Sequence, residues 1–279
     1  RWLSEHGIKL LRGSGPLAGK GAVEVGGIRY TADHVVIATG SEPIIPPVPG
    51  LRELEGIWTN REVTAMQAVP RRLLVLGGGA VGVEMAQAVR RLGGEVVLIE
   101  HNANVLPREP PALGEALGEV LRRDGIELVL KVRATAARYD GKAYSLVLDD
   151  DRSVTGDRLL VATGHRPRVH GIGLETVDIE ANERGIKVDA TLRAAEQVWA
   201  IGDVNGIWQL THVGKYQGRI VAANILGESR EAHYEAVPRV VFTDPQAASL
   251  GAAQAWFSAT ALVSEVAKAA TYSRAYADM

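Results

Sequence analysis

The sequence predicts an α/β protein built on a repeated module, and three observations support this. A glycine-rich turn, Gly77-x-Gly79-x-x-Gly82, stands between a short apolar run and a helical segment. Several short runs of Val, Ile and Leu have the length and branching of strands in a parallel sheet. Finally, Thr31–Pro43 recurs as Thr155–Pro167 at a constant offset of 124 residues, sharing Thr, Asp, Ala-Thr-Gly and Pro without a gap. Chance is a weak competitor where the apolar runs between the identities also coincide.

Composition bounds the rest. A chain of 279 residues with 46% hydrophobic content suffices for two compact units. Its 31 basic and 33 acidic residues leave a net charge of -2, which gives no electrostatic basis for nucleic-acid binding. No apolar run reaches the roughly 18–20 residues needed to span a bilayer, and no signal peptide opens the chain, so a soluble cytoplasmic protein is expected. With no cysteine, this stretch offers no disulfide, thiolate zinc site or sulfur nucleophile.

The elements follow in order. Arg1–Gly7 reads as a helix end stopped by glycine. Residues 21–40 alternate, with Val23 and Val25, a Gly26-Gly27 turn, Ile28 and Tyr30, the pattern of a β-hairpin. Val35-Val36-Ile37-Ala38 is expected to be a parallel strand buried on both faces. Pro43, Pro46, Pro47 and Pro49 mark an extended linker. A βαβ unit then comprises the strand Leu73–Leu76, the glycine turn, a helix over Val83–Leu92 and the strand Val96–Ile99, which ends in Glu100. A second helix is expected over Pro110–Asp124, followed by a strand at Ile126–Leu130. Residues 144–163 alternate and end in Thr163-Gly164, and Val198–Ile201 runs into Gly202-Asp203. The repeat places the first module's own glycine turn ahead of residue 1, so the chain is expected to be an internal piece of a longer one.

The chemistry-bearing residues lie at strand ends. In the glycine turn, Gly77 permits the tight bend, Gly79 lets the backbone approach a pyrophosphate, and Gly82 allows close helix–strand packing. The helix that follows presents free N–H groups and a partial positive charge to phosphates. Glu100, 18 residues beyond Gly82, is placed to accept hydrogen bonds from an adenosine ribose. A 2′-phosphate there would meet a like charge at about 4 Å, a cost of about 1 kcal/mol in water and about 4 at intermediate dielectric, which favours NAD over NADP. His101 and Arg108 soften that choice, and a solvated strand-end acid is the plain alternative for Glu100. Asp203 can accept from sugar hydroxyls, or Gly202-Asp203 can be a simple turn. His165 and His170 lack companions at ligand spacing, and Ser41 and Ser229 lie outside any nucleophile elbow. Trp199, Trp208 and Trp256 read as packing residues.

Taken together, these motifs resemble the flavin-dependent pyridine nucleotide-disulfide oxidoreductases, the family of dihydrolipoamide dehydrogenase and mercuric reductase. Ile37–Pro43, Gly77–Glu84, Ala200–Asp203, Gln209–His212 and Val237–Pro245 carry the resemblance by order and spacing. It implies two Rossmann-like, three-layer domains for FAD and NAD(P), plus the start of an α+β dimerisation domain. The implied boundaries are 1–67 for the first FAD segment, 68–168 for the NAD domain, 169–235 for the second FAD segment and 236–279 for the interface domain.

The resemblance also implies site roles. Gly79, Ala80 and Val81 would contact the NAD pyrophosphate, Glu100 its ribose, and Glu84 the nicotinamide amide. Asp203 would hold the FAD ribityl chain, with Gly202, Leu210, Thr211 and His212 near the flavin, and Thr39 and Gly40 near the FAD adenosine. Gly164 opens Gly-His-Arg-Pro-Arg where the family often has Gly-Arg-x-Pro-Asn. The implied activity is hydride transfer between NAD(H) and FAD in a homodimer, with electrons passed to a disulfide or similar acceptor. The family's redox cysteine pair and C-terminal His-Glu pair have no counterpart in this stretch. Two alternatives are a cysteine-independent flavin reductase or NADH oxidase, and a truncated NAD-binding remnant that would expose Val240, Val241 and Phe242.

Overall fold

The computed structural model describes residues 1–250. They form two compact units, one made of residues 1–42 and 166–233, the other of residues 43–165 and 234–250.

In the first unit, Ala22–Val25 and Ile28–Thr31 pair as the expected antiparallel hairpin. Gly26 and Gly27 both adopt positive φ, as a two-residue turn matching strand twist requires. A three-stranded sheet runs in the order Arg193–Ala195, Val198–Ala200, Val35–Ile37, and the last two strands are parallel. Alternation divides its faces. Trp199, 1% exposed, packs with Leu192, Ile220 and Val221 on the helix Thr211–Ile225, while Val198 and Ala200 join Leu17, Ile37, Ile186 and Val204. The packing role expected of Trp199 is therefore observed. Val35–Ile37 is not buried on both faces as expected: among the described residues it is an edge strand, and Val36 is 40% exposed.

The second unit is built on a four-stranded parallel sheet ordered Arg158–Val161, Arg72–Leu76, Glu95–Glu100, Glu127–Leu130. Its strands read as unbroken apolar runs because each face has its own cover. Leu73, Val75, Val96 and Leu98 pack against the helices Ala80–Arg91 and Pro111–Arg123. Leu74, Leu76, Val97 and Ile99 face Leu146 and Leu148 of the antiparallel sheet formed by Ala134–Tyr139, Tyr144–Leu148 and Ser153–Gly156. Three layers result.

Several elements were absent from the sequence reading, and three of them show why. Ala134–Tyr139 is alanine-rich and has a register shift between Ala134 and Ala136, which breaks its alternation. Asn60–Thr64 is a short helix held by a Thr59/Glu62 capping box. Thr211–Ile225 contains two glycines that weaken its helical pattern. The fingerprint helix also starts at Ala80 rather than Val83, because Gly79 already serves as its N-cap.

Residues Pro238–Val241 and Ala247–Leu250 form an antiparallel hairpin. Val241 and Ala247 are buried in the helix-side core of the second unit, unlike the exposure that the truncated-remnant alternative implies for Val241, while Phe242 is 66% exposed. Trp256 lies outside the described residues.

Candidate nucleotide sites

The repeat is visible as one local motif in each unit. In the first, Thr39 Oγ1 donates to the Arg168 carbonyl at 2.9 Å and Arg168 N donates to the Gly40 carbonyl at 2.9 Å. In the second, Thr163 Oγ1 donates to the Ile44 carbonyl at 2.8 Å and Ile44 N donates to the Gly164 carbonyl at 2.9 Å. The threonine tethers its partner while the glycine, at positive φ in both copies, turns the chain. This explains why Ala-Thr-Gly occurs twice and gives Thr39, Gly40 and Gly164 definite structural work. The substitution of Arg168 for the family's frequent asparagine leaves these backbone bonds intact. Its side chain reaches the Ser41 carbonyl at 3.4 Å, and neighbouring Arg166 pairs with Glu42 at 2.8 Å.

In the second unit, Gly77, Gly79, Ala80, Val81, Gly82, Glu84 and Glu100 come together around the carboxyl ends of two adjacent parallel strands, where open α/β sheets bind ligands. The glycines divide their roles sterically. A Cβ at Gly82 would strike the Gly77 carbonyl oxygen, so only glycine lets the helix approach the strand so closely. A Cβ at Gly79 would meet nothing within 4 Å. That open face, beside helix N–H groups that no side chain caps, is the cradle a pyrophosphate needs.

Glu100 is not a solvated strand-end acid. It is 4% exposed, Oε2 accepts from Gly78 N at 2.7 Å, and Oε1 accepts from Asn102 N at 2.8 Å. The acid thus fixes the glycine turn as well as standing beside it. Glu84 is half-buried, and burial raises its carboxyl pKa against the opposing effect of the Phe242 N–H it accepts at 2.8 Å.

In the first unit, Gly202-Asp203 opens a 3₁₀ turn, Gly202–Asn205. Asp203 Oδ2 accepts from Ser41 Oγ at 2.6 Å. Fully buried Gln217 accepts from Gly202 N at 2.6 Å and from Asn205 Nδ2 at 3.0 Å, tying the turn to the long helix. A Cβ at Gly214 would come within 3.4 Å of the Gly202 Cα, so this helix and the turn pack closely. Leu210 is the N-cap of that helix, and Thr211 and His212 form its first turn, where no side-chain cap occupies the N–H groups. Seven of the expected residues (Thr39, Gly40, Gly202, Asp203, Leu210, Thr211 and His212) therefore belong to this unit. Ser41 and Gln217 went unidentified in the sequence. Ser41 could have been found from its place directly after the repeated Thr-Gly, whereas Gln217 carries no local signal.

These features define an α/β protein with the strand–glycine turn–helix of dinucleotide-binding folds in its second unit. The comparisons with known proteins make this specific. The family model described as pyridine nucleotide-disulphide oxidoreductase matches residues 1–218, and the chain belongs to that family. Its members are flavoprotein enzymes that use FAD and NAD(P)H. The chain is 35% identical to a dihydrolipoyl dehydrogenase of Thermus scotoductus over 257 residues, covering 89% of this chain and 55% of the relative. It is also 35% identical to a mercuric reductase of Streptomyces lividans over 263 residues, covering 90% and 55%.

Among solved structures, the Cu(II) complex of the HOCl-induced flavoprotein disulfide reductase RclA from Escherichia coli matches with a TM-score of 0.82 at 26% identity, covering 88% of this chain and 58% of that one. LpdA from Mycobacterium tuberculosis matches with a TM-score of 0.81 at 29% identity, covering 95% and 59%. The chain thus spans little more than half the length of these relatives. Among the described residues, no helix is long and apolar enough to cross a membrane.

Proposed function

We propose that this chain supplies the NAD site and part of the FAD site of a cytoplasmic, homodimeric oxidoreductase that transfers hydride between NAD(H) and FAD and passes the electrons to a disulfide or similar acceptor. The observation that carries the proposal is the open Gly79 face beside the uncapped helix N-terminus, with the Glu100 carboxylate anchored to the adjacent Gly78. In this reading residues 68–168 are the NAD domain, 1–67 and 169–235 the FAD segments, and 236–279 the start of the dimerisation domain.

Bound FAD supplies the acceptor of two electrons and a proton that the nicotinamide donates as hydride. The chain's own residues bind and orient. The N–H groups of Ala80 and Val81 hold the NAD pyrophosphate, and Glu100 takes the ribose hydroxyls. Glu84 holds the nicotinamide amide. Asp203, oriented by Ser41, accepts from the FAD ribityl chain, and Gly202, Leu210, Thr211 and His212 line the flavin.

The test is the visible spectrum of the purified chain reconstituted with FAD, recorded before and after anaerobic addition of NADH. A retained flavin band that bleaches with NADH is the expected result. A chain that neither retains FAD nor binds NADH refutes the proposal.

A further inference from the structure

The two residues after Glu100 close a ring of hydrogen bonds around its carboxylate. Asn102 Nδ2 donates to Glu100 Oε1 at 2.6 Å and lies 3.1 Å from His101 Nε2. His101 Nδ1 in turn lies 3.0 Å from Glu100 Oε1. The asparagine amide has two hydrogens, and each finds an acceptor when the imidazole carries its proton on Nδ1 and presents a lone pair at Nε2. In that tautomer the side-chain N–H groups of His101 and Asn102 all find acceptors within the ring, with the Asn102 backbone N–H adding a further bond to Oε1 at 2.8 Å.

The two carboxylate oxygens are thereby made unequal. Oε1 takes the Asn102 amide, the Asn102 backbone N–H and His101, which exhausts its acceptor capacity. Oε2 takes Gly78 N at 2.7 Å and keeps room for one more donor. One oxygen is an anchor and the other a reader. The His101 side chain is 51% exposed, whereas Glu100 is 4% exposed.

We infer that His101 and Asn102 are positioning residues that hold the Glu100 carboxylate with Oε2 available to a ribose hydroxyl, and so set the preference of the site for a nicotinamide nucleotide with a free 2′-hydroxyl over one with a 2′-phosphate. The inference rests on the proposed ribose contact of Glu100 and adds the device that aims it. Without the ring, only the backbone N–H groups of Gly78 and Asn102 hold the carboxylate, its orientation opposite a 2′-phosphate is less sharply fixed, and discrimination falls.

The test is equilibrium titration of the full chain with NADH and with NADPH, read as the ratio of their dissociation constants, for wild type and four variants. Glu100→Ala lowers the NADPH-to-NADH ratio. Asn102→Ala and His101→Leu each lower it by about three- to tenfold, the scale of one ordinary net hydrogen bond. His101→Gln keeps a donor and an acceptor and holds the ratio within about twofold of wild type. A merely structural role would weaken both nucleotides alike and leave the ratio unmoved. His101 is half exposed, so its variants fold even where Asn102→Ala does not. If Glu100→Ala lowers the ratio while His101→Leu leaves it unchanged, the positioning role is refuted and the ribose contact stands. If Glu100→Ala itself leaves the ratio unchanged, the ribose contact is refuted and the inference goes with it.

Discussion

Replacing Gly79 by alanine separates binding from folding at the nucleotide turn. Gly79 has φ -72 and ψ -176, an extended conformation open to any residue, and an added Cβ meets nothing within 4 Å. Alanine therefore gains about 0.4–1 kcal/mol by restricting the unfolded chain. It loses a comparable amount as a poorer N-cap than glycine, about 0.5–1 kcal/mol. The net change is within about 0.5 kcal/mol, a shift in Tm of about 2 °C or less for a unit of this size.

Binding responds differently, because the methyl stands on the open face where a pyrophosphate must reach the helix N–H groups. Losing one charge-assisted hydrogen bond costs about 1.5–3 kcal/mol, so the dissociation constant for NADH rises by about 10- to 100-fold. The assay pairs thermal unfolding with calorimetric titration of NADH. Gly82→Ala is the contrasting variant. Its Cβ is driven onto the Gly77 carbonyl oxygen, and overpacking of about 1–3 kcal/mol lowers Tm before any ligand is added. Wild-type NADH affinity in Gly79→Ala would refute the assignment of this turn as the pyrophosphate cradle.

Asp203→Ala removes the acceptor of the 2.6 Å bond from Ser41 and the proposed partner of the ribityl chain. FAD retention after gel filtration falls by about tenfold, the scale of one hydrogen bond to a charged group. Glu84 has its carboxyl pKa raised by burial, so ionising it costs stability: the cost is absent below the unfolded value and fully present above the folded one. Glu84→Gln keeps the acceptor for Phe242 N, so its unfolding free energy matches wild type in acid and exceeds it increasingly as pH rises toward neutrality, followed by urea denaturation against pH. Arg239 and Glu109 form a largely buried pair at 2.9 Å, with Glu109 also accepting from Ser249 at 2.5 Å. Arg239→Met leaves that carboxylate buried beside an apolar side chain and costs about 3 kcal/mol, read as a lower urea midpoint.

Much of the second unit was legible in the sequence because its signals are local. The strand–turn–helix pattern around Gly77–Gly82 and the apolar runs each occupy one short continuous stretch of chain. The same locality limited the reading where a pattern was broken. Ala134–Tyr139 has a bulge in place of clean alternation, and Thr211–Ile225 carries Gly214 and Gly218 in the helix. Val35–Ile37 has the composition of a doubly buried strand, but burial depends on which elements cover it, and Val36 is open. Val241 is the converse: a residue that the truncated-remnant alternative leaves exposed is buried because a distant helix layer receives it.

By itself the sequence determined the α/β class, the repeated module and the identity of the glycine turn. Each is a periodicity, a spacing or a self-match that one-dimensional order preserves. Tertiary structure alone decided that Glu100 is buried and braces the turn it was expected merely to stand beside. It also decided that Ser41 orients Asp203 across 162 residues of chain, and that Gln217 ties Gly202 to its helix. A polar side chain's partner is fixed by the folded backbone that delivers a donor to it, and nothing in the residues next to it records where that donor will come from.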